Sequence, residues 1–122
     1  MTTMIAQRSR ARVGGLWTLQ ILSAAMFLFA GSLKLIGVPE MVQVFGVIGL
    51  GQWFRYLTGG IEVVSAVLLL MPAVAAYGAA VLTLTMVGAI ITHLVVIGGN
   101  PLMPILLLAS TATIAWQRWS DR

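Results

Sequence analysis

A bundle of four membrane-crossing helices, with a short interfacial or re-entrant segment between the first two, is the all-α fold this 122-residue sequence predicts. Three observations predict it. Hydrophobic residues make up 60% of the chain and charged residues only 8%, against about a quarter charged in an ordinary soluble domain. Mean hydropathy is +1.02, so there is too little polar surface to cover a water-facing globule, and the lipid bilayer is the expected solvent. The apolar residues also fall into four long segments, and a crossing helix needs about 20 residues. Lipid offers the backbone no hydrogen-bond partner, which restricts spanning segments to helices or strands of a closed barrel. These segments are far longer than a barrel strand of about ten residues. A single transmembrane domain over residues 1–122 follows.

The first helix is expected over 15–36, "GLWTLQILSAAMFLFAGSLKLI". Arg8, Arg10 and Arg12 before it imitate a signal peptide. The apolar run outlasts a signal core and three more apolar segments follow, so a retained helix is expected. Next comes "GVPEMVQVFGVIGLGQ", in which Pro39 can open a short helix with Glu40 in its first turn. Met41, Val42, Val44 and Phe45 give it an apolar side, and 39–51 reads as a segment lying over the mouth of the bundle. Helix two is expected over 53–71, ended by Pro72. Helix three covers 74–97, ended by "GGNP", and helix four 102–119. The tight turns at 72–73 and 98–101 make the last three helices antiparallel neighbours. Small residues four apart, Ala75/Ala79, Ala76/Ala80 and Ala109/Thr113, offer close backbone approach in lipid.

Orientation follows from the basic residues. Arg8, Arg10 and Arg12 precede helix one, and Arg118 and Arg122 close helix four. With an even number of spans both termini share one side, which the positive-inside rule makes cytoplasmic. Trp17, Trp116 and Trp119 fit an aromatic belt there, and Trp53 and Tyr56 one at the opposite surface. The net charge of +4 comes from residues scattered at helix ends, with no basic patch interleaved with aromatics, so nucleic acid is rejected as a partner. There is no cysteine, which excludes disulfides, thiolate metal sites and thiol relays within this chain.

Depth counting at about 1.5 Å per residue sorts the ionisable residues. Lys34 lies two residues before the outer end of helix one. Glu62 is roughly 13 Å below the outer surface on helix two, and His93 roughly 6 Å in on helix three. Glu40 and Arg55 lie at or above the outer boundary, so the inner half holds no ionisable residue within its helices. A charge near the centre of a spanning helix costs about 2.5–3.5 kcal/mol and normally faces a partner or a cavity. Lys34 and Glu62 are the natural pair, with Arg55 competing for the same carboxylate. Lys34 has an alternative, snorkelling to the headgroups. Gly31 and Ser32, just before it, leave room for a close neighbour. A structural ion pair and a ligand or proton site are comparable readings of Glu62, and a lone histidine is more often hydrogen-bonded core than ligand. Only Glu62 and Met86 are placed to join His93 on a metal, a poor zinc set, so no metal is expected.

Three motifs, "FAGSLKL" in helix one, "TGGIEVVSAVLLLMP" in helix two and "VGAIITHL" in helix three, resemble the DoxX and DoxX-like family over roughly Phe27 to Leu94. The resemblance implies a small four-helix protein of a prokaryotic cytoplasmic membrane, and it implies that Lys34, Glu62 and His93 matter. The family takes its name from a subunit of a thiosulfate:quinone oxidoreductase, and some relatives associate with redox or oxidative-stress partners. A chain without cysteine does not inherit covalent sulfur chemistry.

The function expected is a redox-associated membrane subunit, an accessory protein more than an enzyme, with an outer-leaflet pocket for a quinone or other small apolar ligand. No covalent cofactor is expected, and the partners expected are lipid and a membrane or redox protein, or a second copy. In that reading His93 and Lys34 donate hydrogen bonds to a ligand carbonyl, while Glu62 orients them or relays protons. Lys34, Glu62, His93 and Arg55 are the ligand-binding or proton-relay candidates. Two other readings stand beside it: an assembly subunit without chemistry, and a small proton-coupled transporter.

Overall fold

The structure, a computed structural model, describes the backbone of residues 2–120 and the side chains of residues 9–120. The side chains of Arg8 and Arg122, part of the predicted basic flank, lie outside the described residues. Among the described residues all regular structure is helical: α1 (Thr2–Ile36), α2 (Pro39–Ile48), α3 (Gln52–Leu69), α4 (Ala75–Thr92) with a π-helical turn (His93–Ile97), and α5 (Leu102–Ser120).

The four long helices pack as a ring. The heaviest contacts are α1 on α3, α4 on α5 and α3 on α4, and a lighter α1–α5 seam closes it. Antiparallel neighbours are seen where the end of α1 meets the start of α3, and where Gln20 and then Ser23 along α1 meet Arg118 and then Ser110 on α5. Phe27, Leu69, Leu82, Met86 and Ile114 occupy the shared core.

Two helix crossings depend on glycine. A Cβ on Gly31 would stand 2.9 Å from the Gly59 carbonyl oxygen, and one on Gly59 would stand 2.9 Å from that of Gly31. Backbone therefore touches backbone where α1 crosses α3, a contact no larger residue permits. Gly78 does the same for α4 on α3, at 2.8 Å from the Ser65 carbonyl oxygen. Ala75, Ala76 and Ala79 are buried as their spacing suggests, but Ala109 and Thr113 face outward and serve no helix crossing within the chain. Ser32 is likewise exposed.

Outside, the bundle is apolar. Phe29, Ile36, Leu84, Val95 and Trp116 are all at least 65% exposed, a surface that water tolerates only in small patches. Two stretches, Ser9–Ile36 and Ala75–Ile97, are long and apolar enough to cross a membrane. The other long helices are shorter and more polar: α3 has 18 residues including Gln52, Arg55 and Glu62, and α5 has 19 residues, among them Gln117 and Arg118. Length and apolarity alone thus mark two of the four.

Helix α2 lies where the first connection was expected to cover the bundle. Pro39 opens it without losing a needed N–H. Gly49, at φ 83°, ends it in the left-handed conformation with its N–H on the Phe45 carbonyl. Two contacts fasten it to the start of α3: Gln52 Nε2 donates to the Val42 carbonyl at 3.1 Å, and the Phe45 and Phe54 rings lie 5.9 Å apart.

Candidate functional site

Beneath α2 the helices part around a cavity of about 450 Å³. Phe27, Phe45, Phe54, Met41, Met86 and Met103 supply much of its apolar wall, and its ionisable lining consists of Lys34, Glu62 and His93. Three residues placed by depth counting on three different helices therefore meet at one void.

Lys34 Nζ stands 3.0 Å from Glu62 Oε1. The carboxylate is 2% exposed and the lysine 16%, so of the two readings of Lys34, pairing is the one adopted. The pair depends on the glycine crossing just described, since Gly31 packs against the Glu62 Cβ and Gly59 against the Lys34 Cβ. A bulkier crossing would hold the two side chains apart in an apolar medium, where each lone charge is costly.

Arg55 lies elsewhere and does not compete for the carboxylate. Its Nη1 donates to the Lys34 carbonyl oxygen, and its Nε donates to Gln52 Oε1 at 2.8 Å. Gly37, at φ 79°, turns the chain out of α1, and both its N–H and that of Val38 converge on the Leu33 carbonyl. That leaves the Lys34 carbonyl without its usual turn partner, and the guanidinium takes it. The arginine also lies 4.3 Å from the Tyr56 ring centroid. Arg55 is thus a cap for α1, behind the wall of the cavity and not in it.

His93 begins the π-helical turn, in which the Gly98 N–H reaches back to the His93 carbonyl at 2.8 Å. Such turns insert a residue into a helix and redirect the side chain. Its Nδ1 is 2.8 Å from the Ala89 carbonyl oxygen. A carbonyl only accepts, so Nδ1 carries the proton, and in the neutral ring Nε2 is an acceptor. The expectation that His93 donates to a ligand carbonyl is therefore reversed for the neutral ring. Among the described residues no three His, Cys, Asp or Glu side chains come together as a metal site.

A second polar cluster escaped the sequence reading. Gln20 is fully buried: its Nε2 donates to the Leu69 carbonyl at 2.6 Å, and its Oε1 accepts from Arg118 Nε at 2.7 Å. Arg118, in the last turn of α5, reaches inward and also lies 5.3 Å from the Trp17 ring centroid. Ser23 meets Ser110 at 2.5 Å, and the hydroxyls of Thr83 and Thr111 lie 3.0 Å apart, each also within hydrogen-bond reach of a carbonyl one turn back, Ala79 at 2.7 Å and Leu107 at 3.0 Å. A single amide inside the apolar run 15–36 was the available signal, because a buried amide must find partners.

A model of the DoxX-like family matches residues 18–114. The chain belongs to the DoxX-like family. No curated protein and no solved structure matches it. The span matched by the DoxX-like family takes in every residue lining the cavity, from Phe27 to Leu107, while Arg118 lies beyond it.

Proposed function

We propose that this DoxX-like protein is a four-span subunit of a prokaryotic cytoplasmic membrane, both termini inside, that holds a quinone-like or other small apolar ligand for a membrane redox partner. The observation that carries the reading is the cavity beneath α2, a volume in the usual range for small-molecule sites. Its wall is apolar apart from a few convergent polar groups, among them Lys34, Glu62 and His93. A purely structural ion pair needs no void beside it. The apolar exterior and the two long apolar helices support the membrane setting, and the packing of α3 and α5 against those two helices supports the reading of four spans.

Purification in native lipid, followed by mass spectrometry of bound small molecules and proteins, tests this. A bound apolar molecule lost on Glu62→Gln or His93→Ala is the expected result. Protein partners alone, indifferent to both changes, would mean an assembly subunit. Uptake into liposomes driven by a proton gradient and dependent on Glu62 would mean a transporter.

A further inference from the structure

The hydrogen-bonding capacity of the cavity wall is lopsided. Five of its side chains present acceptors. Thr58, Thr85 and Thr92 donate their hydroxyl protons to the carbonyls of Phe54, Val81 and Gly88, each at 2.8 Å, which leaves only lone pairs for the cavity. His93 spends its Nδ1 proton on Ala89, so the far end of the neutral ring, Nε2, offers a lone pair. Glu62 accepts from Lys34 through Oε1 and has a second oxygen to offer. Against these stands one donor side chain, Lys34, with one of its three protons directed at Glu62.

A carbonyl-bearing ligand suits such a wall poorly, because it brings acceptors to acceptors and can be served by Lys34 alone. A hydroxyl suits it on both counts: its proton goes to Glu62 or His93, and its lone pair takes a proton from Lys34. The geometry points to a ligand of the phenol or hydroquinone class, an apolar ring whose hydroxyl is the recognised group, bound in preference to the corresponding quinone. The three phenylalanines and three methionines of the wall fit the ring by face, edge and sulfur contacts. This inference rests on the reading of the cavity as a ligand site and adds the chemistry of the ligand.

The test compares tetramethylhydroquinone, kept reduced under nitrogen, with tetramethylbenzoquinone, which has the same carbon skeleton and carbonyls in place of hydroxyls. Equilibrium dialysis uses the full chain in lipid nanodiscs at a pH of about 8, above the ordinary imidazole range. Protein-free discs give the background from partition into lipid. Hydroquinone binding tighter by about tenfold or more is expected, the worth of one hydrogen bond to a charged group. His93→Phe, which keeps a flat ring on the wall, and Glu62→Gln, which removes the carboxylate, should each reduce that preference. Equal binding, tighter quinone binding, or a preference that survives both changes overturns the hydroxyl assignment while leaving a ligand site in place. If neither probe binds above protein-free discs, the cavity reading itself fails.

Discussion

Two polar clusters sit inside this apolar bundle, and they handle the same energetic problem in opposite ways. In the cluster of Gln20, Arg118, Ser23, Ser110, Thr83 and Thr111, polar groups are matched almost entirely to one another or to helix carbonyls. Arg118 Nη2 is the exception, buried without a partner among the described residues. In the cluster of Lys34, Glu62 and His93, each side chain makes one internal contact and keeps hydrogen-bonding capacity facing a void. Buried polarity is therefore no mark of function by itself. What separates the two is spare capacity directed into space, which a folded chain tolerates only where something else fills it.

The largest effect should come from the glycine crossing, because it sets the α1–α3 distance on which both clusters depend. Gly59→Leu places a side chain where 2.9 Å is available beside backbone oxygen. The neighbouring backbone has nowhere to move, so the cost exceeds the roughly 1–3 kcal/mol of ordinary overpacking. Loss of the folded state in an SDS titration is expected, and a native-like curve would mean that the two clusters do not share this crossing as a scaffold.

Next is Gln20→Leu, which strips the Leu69 carbonyl and Arg118 Nε of their shared partner at once. A loss of about 3 kcal/mol is expected, with ligand binding per folded molecule unchanged. If binding falls as well, the closed cluster is not purely structural.

Removing one partner of Lys34–Glu62 should cost about 2 kcal/mol, below the 3–5 of a fully buried pair because Lys34 is 16% exposed. The double change Lys34→Met with Glu62→Leu should recover most of that stability and still lack ligand binding. Stability recovered together with binding would make the pair a packing device like Gln20–Arg118. Thr111→Val should cost about 1 kcal/mol, the share of one matched hydroxyl. Smallest in stability is His93→Ala, within about 0.5 kcal/mol, since its internal hydrogen bond lies within its own helix turn. Loss of bound ligand with no change in the SDS titration is the expected signature of a residue kept for what enters the cavity.

The sequence alone determined the helical class, the place of the breaks between helices, and family membership. Those follow from local causes: apolar runs of helical length, Pro39 and the Gly-rich turns, and motif order along the chain. It also singled out Lys34, Glu62 and His93, because ionisable side chains in an apolar run need an answer wherever they are. Only the tertiary structure decided what the answer was. Arg55 looked like a rival for Glu62 on one helix face, yet the turn at Gly37 aims the Lys34 carbonyl at it. Gln20 was passed over because its partners, Leu69 and Arg118, lie on other helices and one of them is a backbone carbonyl. His93 Nδ1 faces a carbonyl one turn back, which leaves the neutral ring only the lone pair of Nε2 for a ligand. Local pattern reports which groups must be satisfied; partner choice depends on distances across helices, and those exist only once the Gly31–Gly59 crossing has brought the helices together.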